Sequence, residues 1–111
     1  MNSSLEIAAQ RMLTLKDVGL SSAPMPNAVR ERCDVIAAEL ARRYLAGSLS
    51  WLEADIRANN LYDLMFVHCG SRVPEFAWDV FLAFDEGEVD DRGDSHTRPR
   101  VTELMRKYDA A

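Results

Sequence analysis

Apolar residues between positions 29 and 44 repeat with the period of an α-helix, and this repeat constrains the fold more than any other feature of the chain. Its members are Val29, Cys33, Ile36, Leu40 and Tyr44, separated by four, three, four and four residues. Side chains at these spacings share one face of a helix. Arg42 and Arg43 complement the dipole at the carboxyl end, and Gly47 can end the helix.

Two capping boxes mark where other helices begin. In Ser3-x-x-Glu6 and in Ser50-x-x-Glu53 the serine hydroxyl and the glutamate carboxylate can each accept the other residue's backbone N–H. The first box predicts a helix over about residues 4–17 that stops at Gly19. The second predicts a helical segment that ends before Gly70, with a break where two asparagines follow one another at 59 and 60.

Residues between these helices and after them have the composition of loops and helix starts. The stretch 19–27 contains two prolines and two serines, and Asn27 can cap the helix that follows. Pro74 and Pro99 each suit the first turn of a further helix, the second one led in by Ser95 or Thr97. The apolar residues that we expect to face inward from the last three segments are Leu52, Ile56, Leu64, Met65 and Val67, then Phe76, Ala77, Val80, Phe81 and Phe84, then Val101, Leu104, Met105 and Tyr108.

These patterns predict a mostly α fold, a single compact bundle of about five helices formed by one domain over residues 1–111. A strand at "YDLMFVHC" or "AWDVFLAF" is the alternative, because a short aromatic run is typical of a buried strand as well as of a buried helix. The longest apolar run, from Val80 to Phe84, is far shorter than a membrane span needs. The beginning of the chain lacks the pattern of a signal peptide, so we expect a cytoplasmic location and two reduced, buried thiols at Cys33 and Cys69.

The charge of the chain is concentrated in one short stretch. Six carboxylates and one arginine between positions 85 and 94 give a local charge of −5, equal to the net charge of the whole chain. The acidic residues are Asp85, Glu86, Glu88, Asp90, Asp91 and Asp94. They predict either a solvated loop paired with nearby basic residues (Arg98, Arg100, Arg106 and Lys107) or a surface that recognises a basic protein.

Metal chemistry fits this acidic stretch poorly. An EF-hand needs glycine at its sixth position and oxygen ligands around it. With Gly93 in that position, Arg92 and Pro99 occupy the fifth and twelfth ligand positions; with Gly87 there, Leu82 and Phe84 occupy the first and third. The helices also lack the paired acids of a magnesium-dependent hydrolase, although such an enzyme using the 85–94 carboxylates stays an alternative. We predict no metal and no cofactor.

Nucleophilic catalysis and nucleic-acid binding are also disfavoured. His68 and Cys69 are neighbours, so on a helix they diverge by about 100° and cannot act on each other. His68 is expected to be partly buried, and His96 to lie beside the acids. A helix-turn-helix over "AELARRYLAGSLSWLEADIRANN" would place Glu53 and Asp55 against phosphates. We therefore predict no catalytic residue, no enzymatic activity and no nucleic-acid partner.

Two stretches, "LARRYLAGSLSWLEA" and "VPEFAWDVFLAFDEGEVDD", resemble those of small bacterial immunity proteins encoded beside polymorphic toxins, including the toxins of contact-dependent growth inhibition. The resemblance covers about residues 40–91. It implies a cytosolic antitoxin that binds a cognate toxin domain, commonly a basic nuclease, and occludes it. The six carboxylates are assigned to partner binding on charge alone. The remaining alternative is a helical regulatory or scaffold subunit that binds through the loop between Gly19 and Asn27.

Overall fold

The computed structural model, which describes residues 3–89 and 92–110, is a bundle of five α-helices, and this confirms the predicted mostly α fold. The helices are α1 (Ser4–Ala8), α2 (Pro26–Leu45), α3 (Trp51–Cys69), α4 (Glu75–Glu88) and α5 (Asp94–Ala110). Neither "YDLMFVHC" nor "AWDVFLAF" forms a strand, because the first lies within α3 and the second within α4. No helix within the described ranges is long and apolar enough to cross a membrane.

Helix α2 lies at the centre and contacts the other four helices. The face predicted by its apolar repeat is buried, as Val29, Cys33, Ile36, Leu40 and Tyr44 are all at most 3% exposed. Alanines at 37, 38 and 41 are buried beside this face, and the facing helix α3 buries alanines at 54 and 58. Small side chains let the two helix axes approach closely. The core is therefore built around α2.

Helix α1 is shorter than the predicted 4–17 and ends at Ala8. Beyond it, the Asp17 carboxylate accepts the backbone N–H of Thr14 at 2.9 Å and the Arg11 guanidinium at 2.6 Å. Such local side-chain bonds offer the backbone an alternative to helix. They hold a turn that still buries Leu13 and Val18.

Helix α2 begins at Pro26, two residues earlier than a helix capped by Asn27 would begin. Met25 occupies the cap position without a side-chain hydrogen bond, and Asn27 Oδ1 accepts from Arg30 instead. The fixed φ of proline suits the first helical position, so no polar cap is needed to start the helix.

Helix α3 opens with the predicted capping box at Ser50 and Glu53, but it has no break at its asparagine pair. Asn59 Nδ2 donates to the carbonyl of Asp55 at 2.8 Å, and Asn60 Nδ2 donates to the carbonyl of Ala8 in α1 at 2.6 Å. Both side-chain amides thus bond to helix carbonyls and leave the α3 backbone intact.

Three residues predicted to face inward from α3 are on its surface. Leu64 and Met65 are buried as expected, whereas Leu52, Ile56 and Val67 are exposed. The helix buries Ala54, Ala58 and Leu61 instead. The repeat was assigned to the wrong face because alanine, which carries little hydrophobic signal, occupies two of the buried positions of α3.

The two thiols are free, and they differ in burial. Cys33 is fully buried, and burial raises its pKa to about 12. Cys69 is only half-buried at the end of α3. The prediction of reduced thiols agrees with the structure. The prediction that both cysteines lie in the core is correct for Cys33 and wrong for Cys69.

Candidate functional site

The predicted acidic loop is largely helical. Asp85, Glu86 and Glu88 lie on the last turns of α4, and Asp94 is the first residue of α5. Asp90 and Asp91 lie outside the described residues. The acids that the structure places are therefore held by two helix ends.

A contact around Gly87 joins these helix ends. A Cβ on Gly87 would lie 2.5 Å from Thr97 Oγ1 and 3.3 Å from the Trp51 ring, so only glycine fits at this position. The Gly93 N–H donates to the Gly87 carbonyl at 2.8 Å. The glycine brings the carboxyl end of α4 into direct contact with α3 and α5.

Three helices are tied together at this point by the hydroxyl of Thr97, which is fully buried. Trp51 Nε1 on α3 donates to Thr97 Oγ1 at 2.8 Å, and the same hydroxyl donates to the Ala83 carbonyl on α4 at 2.8 Å. We call these two hydrogen bonds the Trp51–Thr97 clamp. Pro99 was predicted to lie in the first turn of α5. It lies two residues beyond that turn, because the helix already begins at Asp94.

Asp94 is engaged within the molecule. Its carboxylate accepts from the Tyr44 hydroxyl and from Arg98 Nε, and the Arg98 guanidinium lies 4.8 Å from the centre of the Tyr44 ring. These bonds lower the pKa of Asp94, with the Tyr44 hydrogen bond as the main cause. Burial, followed by the Asp94 contact, raises the pKa of Tyr44. This network anchors the start of α5 to α2.

Glu86 faces α5. Its carboxylate lies 3.9 Å from Arg100 Nη2 and 4.0 Å from His96 Nε2, which is buried and has no hydrogen-bond partner in the described part of the chain. His96 thus lies beside the acids as predicted, whereas His68 is exposed and the expectation of partial burial was wrong. Two of the predicted local pairs exist, Arg98 with Asp94 and Arg100 with Glu86; Arg106 and Lys107 pair with Glu103 instead.

Asp55 on α3 is the site residue that sequence reasoning missed. It is 5% exposed, and the acidic side chains of Glu88 and Asp85 lie close to it. Burial is the main cause that raises the pKa of Asp55 to about 7, followed by the charge of Glu88. We call Asp55 and Glu88 the carboxyl pair; the raised pKa of Asp55 means that this residue keeps its proton to a higher pH than an exposed aspartate does.

The carboxyl pair lines a surface cavity of about 360 Å³. Its walls are Trp51, Leu52, Asp55, Gly87, Glu88, Arg92 and Gly93. Such a pair can hold a proton or accept hydrogen bonds from a cationic group. Within residues 3–89 and 92–110, no three His, Cys, Asp or Glu side chains are grouped so that they could hold a metal ion.

Comparison of the chain with protein-family models, with curated proteins and with solved structures gives no match. The features that bear on function are therefore the acidic helix ends and the carboxyl pair.

Proposed function

We propose that this protein is a cytoplasmic immunity protein that binds a basic bacterial toxin domain, a nuclease, and neutralises it by occluding its working surface. The observation that carries the proposal is the fixed placement of carboxylates at the carboxyl end of α4. Asp85, Glu86 and Glu88 project from one rigid helix end, which the Trp51–Thr97 clamp joins to α3 and α5.

Rigidity supports an inhibitory role. A surface that is already ordered before binding loses little conformational entropy when a partner docks, so more of the contact energy appears as affinity. Carboxylates concentrated in one place also speed the approach of a basic partner, since the field steers it before contact. Tight, fast binding of this kind is what an antitoxin needs.

The four placed acids differ in how much charge they offer a partner. Asp94 and Glu86 have cationic neighbours on α5, whereas Glu88 and Asp85 lie near a third carboxyl, that of Asp55. Cationic neighbours cancel part of the charge of Asp94 and Glu86, whereas Asp55, which is partly protonated near pH 7, cancels none of the charge of Glu88 and Asp85. A basic partner would therefore be attracted most strongly to the side of the acidic surface that faces α3.

Co-expression tests the proposal. The chain would be produced together with the C-terminal domain of the protein encoded immediately upstream, with growth and co-purification as readouts. We expect growth to be restored and a stable complex to be recovered. A toxic domain that still arrests growth and does not co-purify with the chain would reject the immunity function.

A further inference from the structure

Helix α3 carries an exposed stripe with the spacing of a helix-docking surface. Its members, which we call the α3 stripe, are Leu52, Ile56, Asn59, Asp63 and Phe66, separated by four, three, four and three residues. Leu52 and Phe66 at its ends are 61% and 66% exposed, Ile56 is 41% exposed, and Asn59 and Asp63 are half-buried. Side chains with this alternation lie in one row along a helix, as in the seam of a coiled coil. Here the row faces away from the core.

Helix α4 carries a second row next to the first. This α4 stripe consists of Trp78, Leu82, Asp85 and Val89, separated by four, three and four residues. Val89, directly after the last helical residue, is 64% exposed, and the others are half-buried. Phe81 and Glu88 of the same helix face α3, and Glu86 faces α5. The α4 stripe lies between these two sides and is directed outward.

Contacts between α3 and α4 place the two stripes side by side. Tyr62 stacks on Phe81 with ring centres 4.2 Å apart, and it also contacts Phe66 of the α3 stripe and Trp78 of the α4 stripe. At the other end, Leu52 and Glu88 line the same cavity. Residue numbers rise along one helix as they fall along the other, so the helices are antiparallel. The stripes form one elongated face with apolar side chains at both ends.

The charge of this face selects the partner. Helices α3 and α4 together carry eight acidic residues, of which Asp55 is buried, against one arginine, and α4 has no lysine or arginine at all. That arginine, Arg57, is turned toward α1, where Nε donates to the Leu5 carbonyl at 3.0 Å. Asp63 and Asp85 lie within the stripes themselves. An apolar face surrounded by carboxylates complements an amphipathic helix whose apolar row is flanked by lysine or arginine.

We infer that the face formed by the α3 and α4 stripes binds a basic amphipathic helix of the toxin domain, so that the interface extends from the acidic end of α4 along the length of α3. This inference rests on the proposed function and deepens it, because it names the docking face and the element that occupies it. The apolar ends provide the buried contact area, and the carboxylates orient the partner helix and speed its approach.

The test compares two matched double variants by calorimetric titration with the co-purified toxin domain. The first, Leu52→Ser with Phe66→Ser, removes exposed apolar side chains from the α3 stripe. The second, Met25→Ser with Val35→Ser, removes side chains of similar exposure (74% and 52%) from the region of α2. We expect the first to raise Kd at least about tenfold, the loss typical of central interface contacts, and the second to change Kd less than about twofold. All four positions are exposed, so thermal unfolding should be unchanged.

Three results would overturn the inference, and they are distinguishable. Equal affinity of both double variants would place the toxin elsewhere while leaving immunity intact. Dimerisation of the unmodified chain in sedimentation analysis, abolished by Leu52→Ser with Phe66→Ser, would assign the face to a second copy. Failure of the unmodified chain to bind the toxin or restore growth would remove the proposed function itself. Asp63→Lys on the α3 stripe should weaken binding, whereas Glu31→Lys at an exposed position of α2 should leave it unchanged.

Discussion

At the scale of the residue, the arrangement of the acidic surface depends on side chains that are not themselves on it. Gly87 lets Thr97 and Trp51 approach the end of α4, and Thr97 supplies the one hydroxyl that bonds to both neighbours. Asp55 brings a carboxyl from α3 to the acids of α4. Thr97, Trp51 and Asp55 lie outside the acidic stretch, and Gly87 is an uncharged residue within it.

Gly87→Ala should destabilise the protein. Replacing glycine by alanine within a helix normally stabilises it by about 1 kcal/mol. Here the new methyl group would clash with Thr97, and overpacking of this kind costs about 1–3 kcal/mol. We therefore expect a lower midpoint in urea unfolding, with exposed Ser48→Ala as the control that leaves it within experimental error. A stabilised Gly87→Ala protein would show that the contact is not tight.

The carboxyl pair predicts an unusual dependence of stability on pH. The pKa of Asp55 is about 7 in the folded protein and about 4 in an unfolded chain. Between these values the folded state holds a proton that the unfolded state has lost, so the free energy of unfolding falls as pH rises from about 4 to 7, by at most about 1.4 kcal/mol per pH unit. Asp85, Glu88 and Arg92 are the charged groups around Asp55.

Asp55→Asn removes this titration. Because Asn is neutral at every pH, we expect the variant to match the original protein in urea unfolding only below about pH 4 and to exceed it by a margin that grows up to about pH 7. Glu31→Gln, an exposed change on α2, should leave the pH profile as it is. A profile of Asp55→Asn that runs parallel to that of the original protein would contradict the raised pKa of Asp55.

At the scale of the element, helices could be predicted where apolar residues repeat with the helical period. The ends of several helices and the buried face of α3 could not. The apolar repeat of α2 and the capping box of α3 were predicted correctly, because both depend on neighbours within a few residues. The end of α1, the extension of α4 to Glu88 and the start of α5 at Asp94 depend on side-chain contacts and on packing against other helices. The face of α3 was misassigned for the same reason.

Thr97→Val tests how much the Trp51–Thr97 clamp contributes. Valine keeps the shape of threonine but leaves Trp51 Nε1 and the Ala83 carbonyl without their partner. Buried polar groups that lose their partner cost about 1–3 kcal/mol. We expect that loss in urea unfolding together with faster amide exchange at Gly93, whose N–H bonds to Gly87.

Thr102→Val is the matched control, since its hydroxyl also bonds to a helix carbonyl but is exposed to solvent. It should change stability by less than about 0.5 kcal/mol. Equal effects of the two variants would mean that the buried clamp has no special role.

At the scale of the whole molecule, charge is distributed unevenly among the helices. Helices α3 and α4 are strongly acidic, while α5 carries four basic side chains against three acidic ones. Because α4 packs between α3 and α5, one of its sides meets cationic neighbours and the other meets carboxylates. The negative field is therefore strongest over the α3–α4 face.

Neutralising that face should slow association with the toxin domain more than it speeds dissociation. For Asp85→Asn with Glu88→Gln we expect an association rate constant lower by about tenfold at low ionic strength, and a difference that shrinks as salt is added. Glu31→Gln with Glu103→Gln, changes of the same charge on α2 and α5, is the control. Identical association rates for the two double variants would exclude steering by the α3–α4 face.

The sequence by itself determined the helical class of this protein, the position of its central helix and the concentration of charge near residues 85–94, because each of these is a property of local spacing or composition. Only the tertiary structure decided that Asp55 lies beside Glu88, that Asp94 accepts hydrogen bonds from Tyr44 and Arg98, and that Leu52 and Ile56 face solvent. These outcomes depend on which helices pack together and how closely. That is decided by contacts between residues distant in the chain, such as Trp51 with Thr97, which no local pattern records.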